Sequence, residues 1–341
     1  MTKTITKVAV LGGGSFGTVL ANLVAGNGIS CALWMRNEQR AEAVMNSREN
    51  EEYFPGFMLD KRLTITSDFD AAIEDAELII MAVPSSAYDT VCSQLEQRIS
   101  RNTLILSTAK GIRADGFRLM SEVIQEHLPH NAVGVLSGPN LAKEIADNQY
   151  TATLVASASI DVVEASQTAL ASPTFRVYAG DDPRGAELAG ALKNIYAIIA
   201  GITGSMQLGQ NTVSMLITRS LAEMCRLASE LGAEPMTFMG LAGVGDLFVT
   251  CTSPLSRNYR VGQALGQGKT LEQAVAEIGQ TAEGVATLKT VYDKAHELGV
   301  RMPLVDGLYR LIYEHVEISE IITSLMTAQQ ATDVEHKVKG I

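Results

Sequence analysis

The sequence predicts an α/β amino-terminal domain on a mainly parallel sheet, followed by an all-helical carboxy-terminal domain. Three observations predict this. Short apolar runs alternate with helical stretches through the first half of the chain. From about Asp182 the strand pattern stops, and apolar residues recur at helical spacing. The first apolar run, Val8 to Leu11, leads directly into Gly12-Gly13-Gly14-Ser15-Phe16-Gly17, with a helical stretch, Thr18 to Ala25, behind it.

That first strand–turn–helix has the layout of a dinucleotide-binding, Rossmann-type turn. Gly12 permits the tight turn out of the strand, and Gly14 lets backbone approach a pyrophosphate. Gly17 lets the helix pack close to the sheet. The anion then meets free N–H groups at a helix N-terminus. A glycine-rich βα turn without a ligand is the plain alternative. The second strand is Ser30 to Trp34. An NAD site places Asp or Glu at its end to accept from the ribose 2′-OH. Here Met35-Arg36-Asn37 follows instead. Arg36 can grip a 2′-phosphate with two charge-assisted hydrogen bonds, which tilts the reading to NADP(H). The other reading of Arg36 is a loop residue stacked on adenine or turned to solvent.

A helix over Gln39–Met45 comes next, then a loop holding Tyr53-Phe54-Pro55-Gly56, a strand Leu63–Thr66 and a helix around Phe69–Asp75. Leu78–Val83, Leu104–Ser107 and Val133–Leu136 are continuous apolar runs, as strands buried on both faces should be. Ala152–Ala156 and Phe175–Tyr178 complete the sheet as antiparallel additions at its edge. In the second half, Leu188–Ile202, Val213–Ala228, Thr270–Ile278, Gly284–Leu298, Leu304–Ile312 and Ile318–Met326 read as helices. Thr270-x-x-Gln273 is a capping-box pattern, and Gly279 is the stop. The domains are residues 1–187 and 188–341.

Composition narrows the function. With 341 residues, 46% hydrophobic and 19% charged, the chain is globular and core-rich. A net charge of −11 argues against nucleic acid or an anionic membrane as partner. It also means that an anionic substrate needs a local cluster of cations. Cys31, Cys92, Cys225 and Cys251 show no metal-ligand spacing and read as reduced thiols of a cytoplasmic protein, so no metal is expected. No apolar leader follows Met1. Leu188–Ile202 carries Lys193 and Asn194 and is too short to span a membrane.

Ligands of open parallel sheets bind beyond the carboxyl ends of the strands. Three loops leave such ends: Val83-Pro84-Ser85-Ser86, Ser107-Thr108-Ala109-Lys110-Gly111 and Ser137-Gly138-Pro139-Asn140. Lys110 stands where it can reach a nicotinamide or an anionic substrate. Gly138-Pro139-Asn140 reads as a helix start. Lys193 sits among small and apolar residues, where burial disfavours the ammonium and poises a lysine for acid–base work. The plain alternatives are a solvated loop lysine at 110, and at 193 a stem in an apolar groove with its head in water. Gly243-Val244-Gly245 suggests a tight turn aiming Asp246, and Ser256-Arg257-Asn258 supplies a cation and two neutral hydrogen-bonding groups for a phosphate.

Taken in order, these segments resemble the NAD-dependent glycerol-3-phosphate dehydrogenase family in its bacterial NAD(P)+ form, over nearly the full length. The segments are Gly12 to Thr18, Trp34-Met35-Arg36, Tyr53 to Gly56, Ser107 to Gly111, Ser137-Gly138-Pro139, Lys193-Asn194, Gly243 to Leu247, Ser256 to Asn258 and Glu283-Gly284. The resemblance implies reduction of dihydroxyacetone phosphate to sn-glycerol 3-phosphate, the phospholipid backbone. It implies cofactor contacts at Ser15, Phe16, Arg36, Lys110, Ala142, Arg257, Thr281 and Glu283. Substrate contacts are implied at Lys110, Gly138, Asn140, Lys193, Asp246, Ser256, Arg257 and Asn258, with Lys193 as proton donor in reduction. Asn140 replaces a usual small hydroxyl residue and Thr281 a usual aliphatic one, and the resemblance implies contacts there through the backbone, which survive both changes. The resemblance also implies a homodimer through the helical domain and inhibition by the product.

Two other readings stay open. A reductase of β-hydroxyacids or 2-dehydropantoate would need a carboxylate clamp rather than a phosphate clamp. A redox-sensing protein that holds NADP without turnover would favour an apolar residue where Lys193 stands.

Overall fold

The computed structural model describes residues 5–278 and 283–328. Among them, the first half is a three-layer α/β arrangement around one eight-stranded sheet. In chain order its elements are β1 (Lys7–Leu11), α1 (Ser15–Gly26), β2 (Ser30–Trp34), α2 (Glu38–Ser47), β3 (Leu63–Thr66), α3 (Phe69–Ile73), β4 (Leu78–Met81), α4 (Tyr88–Leu95) and β5 (Leu104–Ser107). A two-stranded hairpin follows, β6 (Ile112–Arg113) and β7 (Arg118–Leu119). Then come α5 (Met120–His127), β8 (Val133–Ser137), α6 (Ala142–Ala146), β9 (Thr151–Ser157), α7 (Ile160–Leu170) and β10 (Phe175–Gly180). The rest is helical: α8 (Pro183–Ser205), α9 (Gln210–Glu230), α10 (Asp246–Thr252), α11 (Arg257–Gly266), α12 (Leu271–Ile278), α13 (Glu283–Glu297), α14 (Pro303–Tyr313) and α15 (Ile318–Thr327).

The sheet order is β10-β9-β8-β5-β4-β1-β2-β3. The strands from β8 to β3 run parallel, β9 lies antiparallel to β8, and β10 follows β9 in parallel. Both edge additions therefore oppose the main direction, as expected. Alternating side chains feed two cores. Val8, Val10 and Leu33 meet Leu20 and Val24 of α1 and Val162 of α7 on one face. Ala9, Leu11, Trp34, Ile79 and Met81 meet Tyr88 and Cys92 of α4 and Val123 of α5 on the other. Strands buried on both faces need no polar side, which is why β1 and β4 read as unbroken apolar runs. The strand order reverses between β1 and β4, so a crevice opens at their carboxyl ends. Burial pushes the Cys92 thiol up to about 12 and raises that of Cys31 further, so both are packed thiols.

The chain forms two compact units. The first runs to Ala191 and regains Gly232–Val249. The second is Leu192–Leu231 with the residues from Thr250 onward. A single boundary near residue 187 leaves out this return of 232–249 to the first unit. Within the second unit, a side chain on Gly262 of α11 would run into the Ile198 carbonyl of α8, so these helices touch through their backbones. Glu223 of α9 is buried. It accepts from the Tyr196 hydroxyl at 3.2 Å and from the Leu304 N–H at 2.8 Å, capping α14. The Thr270–Gln273 capping box forms in both directions, at 3.0 and 3.3 Å. The expected stop at Gly279 lies outside the described residues.

Candidate active site

The glycine turn divides its labour as the sequence implies. Gly12 has φ +119°, and a Cβ there would lie 2.5 Å from the Ala82 carbonyl at the end of β4. A Cβ on Gly17 would run into the Gly12 carbonyl. Gly14 is different: nothing lies within 4 Å of its missing Cβ, and its backbone is the extended cap of α1. A turn packed on two sides and open on the third fits a pyrophosphate against the N-terminus of α1, with Ser15 and Phe16 as that helix's first residues.

Local sequence gave no sign of what braces the turn. Asn50 is buried, and its Nδ2 donates to the Gly13 carbonyl at 3.2 Å and to the Thr18 hydroxyl at 2.8 Å. Arg40 Nη2 donates to the same carbonyl at 3.4 Å and to Asn50 Oδ1 at 3.1 Å. Its guanidinium also pairs with Glu52 at 2.9 Å and covers the Tyr53 ring. The loop holding Tyr53 thus supports the turn. Arg36 stands exposed past the end of β2, where an acidic residue would hold an NAD ribose, and Asn37 behind it caps α2.

Elsewhere in the first unit, the chain brings Lys110, Gly138 and Asp246 together. Lys110 Nζ donates to Asp246 Oδ2 at 2.7 Å and to the Gly138 carbonyl at 3.2 Å. The Asp246 side chain is 1% exposed and that of Lys110 is 18% exposed, so the pair is shielded on one side only. Asp246 is not aimed by a tight turn. A π-helical turn, Leu241–Gly245, leads into α10, which Asp246 begins. Gly243 is there for close packing, because a Cβ would collide with the Phe238 backbone. Gly138 has φ +138°, but Gly138-Pro139-Asn140 does not start a helix. The helix α6 begins at Ala142, and it is only 5 residues long. Asn140 Nδ2 instead donates to the Thr153 hydroxyl at 2.9 Å, tying this loop to β9.

The second unit contributes a separate set. Lys193 is 5% exposed, and its Nζ donates to the Thr250 hydroxyl at 2.6 Å. Sequence reading missed Thr250, although a signal existed: it follows Asp246 by one helical turn of α10. Ser256 caps α11 by accepting from the Tyr259 N–H at 3.3 Å, so exposed Arg257 is the first residue of that helix. Asn258 Oδ1 accepts from the Gly284 N–H at 3.1 Å, which fixes the orientation of its amide. A Cβ on Gly284 would lie 2.5 Å from the Asn194 carbonyl, so Asn194, Asn258 and Gly284 form one junction. Glu283 begins α13. Thr281 lies outside the described residues.

Chemically, the first unit offers an open anion-binding turn and a partly covered ammonium. The second offers a buried ammonium and a helix N-terminus with an arginine. Among the described residues no cluster of His, Cys, Asp or Glu could hold a metal. None of the described helices is long and apolar enough to cross a membrane.

Comparison with known proteins agrees with this inventory. Two family models match, described as the NAD-dependent glycerol-3-phosphate dehydrogenase N-terminus, over residues 7–163, and C-terminus, over residues 182–323. A relative from Teredinibacter turnerae named glycerol-3-phosphate dehydrogenase [NAD(P)+] is 53% identical, covering 96% of this chain and 97% of that protein. One of the same name from Pseudomonas syringae is 53% identical over 96% of both chains. A solved glycerol-3-phosphate dehydrogenase from Coxiella burnetii superposes with a TM-score of 0.90 at 36% identity, covering 95% of this chain and 99% of its own. With both halves matched in order and the glycine turn open where a dinucleotide needs it, the chain belongs to the NAD-dependent glycerol-3-phosphate dehydrogenase family.

Proposed function

We propose that this chain catalyses the reversible, NAD(P)H-dependent reduction of dihydroxyacetone phosphate to sn-glycerol 3-phosphate, the backbone of glycerophospholipids. The observation that carries the reading is Lys193: a lysine buried to 5% exposure, with its ammonium held by Thr250. An ammonium withdrawn from water and held in one direction is suited to giving up a proton at a set place.

A nicotinamide cofactor bound on the glycine turn would supply the hydride for the ketone carbon. Lys193 protonates the alkoxide that develops. Lys110, directed by Asp246, lowers the energy of that oxyanion. Arg257, first in its helix behind the Ser256 cap, anchors the phosphate, helped by the positive end of the helix dipole. Asn258, its Oδ1 fixed by the Gly284 N–H, turns its Nδ2 donors to the phosphate. Anchoring the phosphate orients the carbonyl, so remote binding energy lowers the barrier.

NADP(H) is the preferred cofactor in this reading, with NAD(H) also used. Its support is exposed Arg36 at the end of β2. Gly12, Gly14 and Gly17 shape the pyrophosphate turn. Ser15, Phe16, Ala142, Thr281 and Glu283 complete the cofactor contacts, and Gly138 and Asn140 those to substrate. We read the enzyme as a cytoplasmic homodimer. Met206, Leu208 and Met215, exposed on the second unit, are apolar surface available to such a contact.

The test is cofactor oxidation with dihydroxyacetone phosphate, 2-dehydropantoate and unphosphorylated dihydroxyacetone. Strong preference for the first supports the assignment. Turnover of 2-dehydropantoate at a comparable kcat/KM would overturn it.

A further inference from the structure

Asp182 precedes helix α8, and its carboxylate serves two elements of the first unit. Oδ1 accepts from the Gly185 N–H at 2.8 Å, which caps the helix. Oδ2 accepts from the Thr237 hydroxyl at 2.6 Å and from the Glu234 N–H at 3.0 Å. A Cβ on Gly185 would run into Oδ2, so glycine at this cap leaves the carboxylate room to reach the second partner.

Glu234 and Thr237 lie at the start of Gly232–Val249, the stretch that returns to the first unit. Asp246 lies near its end. Between them, Phe238 is fully buried, and its backbone stands where a Cβ of Gly243 would go. The turn at Pro235–Met239 and the π-helical turn at Leu241–Gly245 are therefore packed into one piece. That piece is held by Asp182 at one end and by the 2.7 Å pair of Asp246 with Lys110 at the other.

We propose that Asp182 is a positioning residue for the reaction: by gripping Thr237 and Glu234 it sets where Asp246 meets Lys110. The proposal rests on the reading that Lys110 and Asp246 belong to the reacting site. A close packed piece passes a displacement at one end to the other, because its interior has no slack to absorb it. Asp246 is buried, so a shift weakens a charge-assisted bond whose carboxylate end is shielded from water. The aim of Lys110 then drifts, and catalysis is sensitive to misplacement on the ångström scale.

The experiment is a double-mutant cycle between Thr237 and Asp246. Thr237→Val deletes one bond to Asp182 and keeps the cap on α8, and Thr237→Ser keeps the hydroxyl. Asp182→Asn is the stronger perturbation, since one amide oxygen cannot serve both partners. Steady-state kinetics with dihydroxyacetone phosphate, and NADPH binding by its fluorescence, are measured for each in the wild-type and Asp246→Asn backgrounds. Thr237→Val is expected to lower kcat/KM about 5- to 20-fold with NADPH binding unchanged, and Thr237→Ser to restore it within about twofold. In the Asp246→Asn background the same change should cost less than about twofold. Equal losses in both backgrounds would overturn the proposal, as would wild-type kinetics for Thr237→Val or a loss confined to cofactor binding. Wild-type activity of Asp246→Asn by itself is a separate outcome, and it overturns the site reading on which the proposal stands.

Discussion

Gly14→Ala should separate cofactor binding from folding. The added methyl enters space with no protein atom within 4 Å, on a backbone with φ −74° and ψ −179° that alanine adopts freely. The folded chain loses only part of a helix cap, about 0.5–1 kcal/mol. The ligand loses more. A methyl on the open side of the turn holds the pyrophosphate away from the N–H groups of α1. One or two charge-assisted bonds are lost, at about 1.5–3 kcal/mol each, so Kd should rise about 10- to 10⁴-fold. Gly17→Ala is the control of opposite sign. Its methyl would strike the Gly12 carbonyl and approach Ala82 Cβ at 3.0 Å, so the fold itself should lose about 1–3 kcal/mol. Thermal unfolding without cofactor and NADPH fluorescence titration read the two effects independently. Near-normal NADPH affinity in Gly14→Ala would refute the reasoning, because the open side of the turn could not then be the pyrophosphate site.

Four further outcomes follow from the same geometry. Lys193→Ala should lower kcat by about 10²–10⁴-fold with little change in cofactor Kd, checked by turnover and by NADPH titration. Arg36→Ala should weaken NADPH more than NADH by about 1.5–3 kcal/mol, and equal losses would mean that the guanidinium packs on adenine. Arg257→Ala should raise KM and lower kcat for dihydroxyacetone phosphate and matter far less for dihydroxyacetone, with lysine rescuing only in part. Burial raises the Glu223 and Glu187 carboxyls from 4.5 to about 7, so the folded state holds their protons more tightly than the unfolded one. That contribution to stability is complete below about pH 4.5 and is lost as pH rises through about 7. Urea unfolding between pH 5 and 8 should show this decline flattened in Glu223→Gln, and parallel curves for the two proteins would count against it.

Most of the fold was legible because its signals are local. β2 and β3 could be read at their observed bounds, Ser30–Trp34 and Leu63–Thr66, because β2 is an apolar run from Cys31 to Trp34 and the edge strand β3 alternates buried Leu63 and Ile65 with Thr64 and Thr66. The glycine turn was legible because backbone sterics act within a few residues. Lys193 stood out as a charge placed among small apolar neighbours. The short hairpin β6–β7 escaped, since two-residue strands carry no periodicity. The helix expected at Pro139 begins instead at Ala142, because proline is compatible with a helix start without requiring one.

By itself, then, the sequence determined the two-part architecture and the glycine turn and singled out Lys110 and Lys193 as candidates, all through patterns a few residues long. Only the tertiary structure decided who holds those residues. Asn50 reaches the Gly13 carbonyl across 37 positions, and Asp246 meets Lys110 across 136. Asn258 Oδ1 is held by the Gly284 backbone, and Gly243 before Asp246 serves packing rather than a turn. A side chain's chemistry is written at its own position. Its partner is chosen by chain closure and by the demand that every buried polar group be satisfied, and no local window contains either condition.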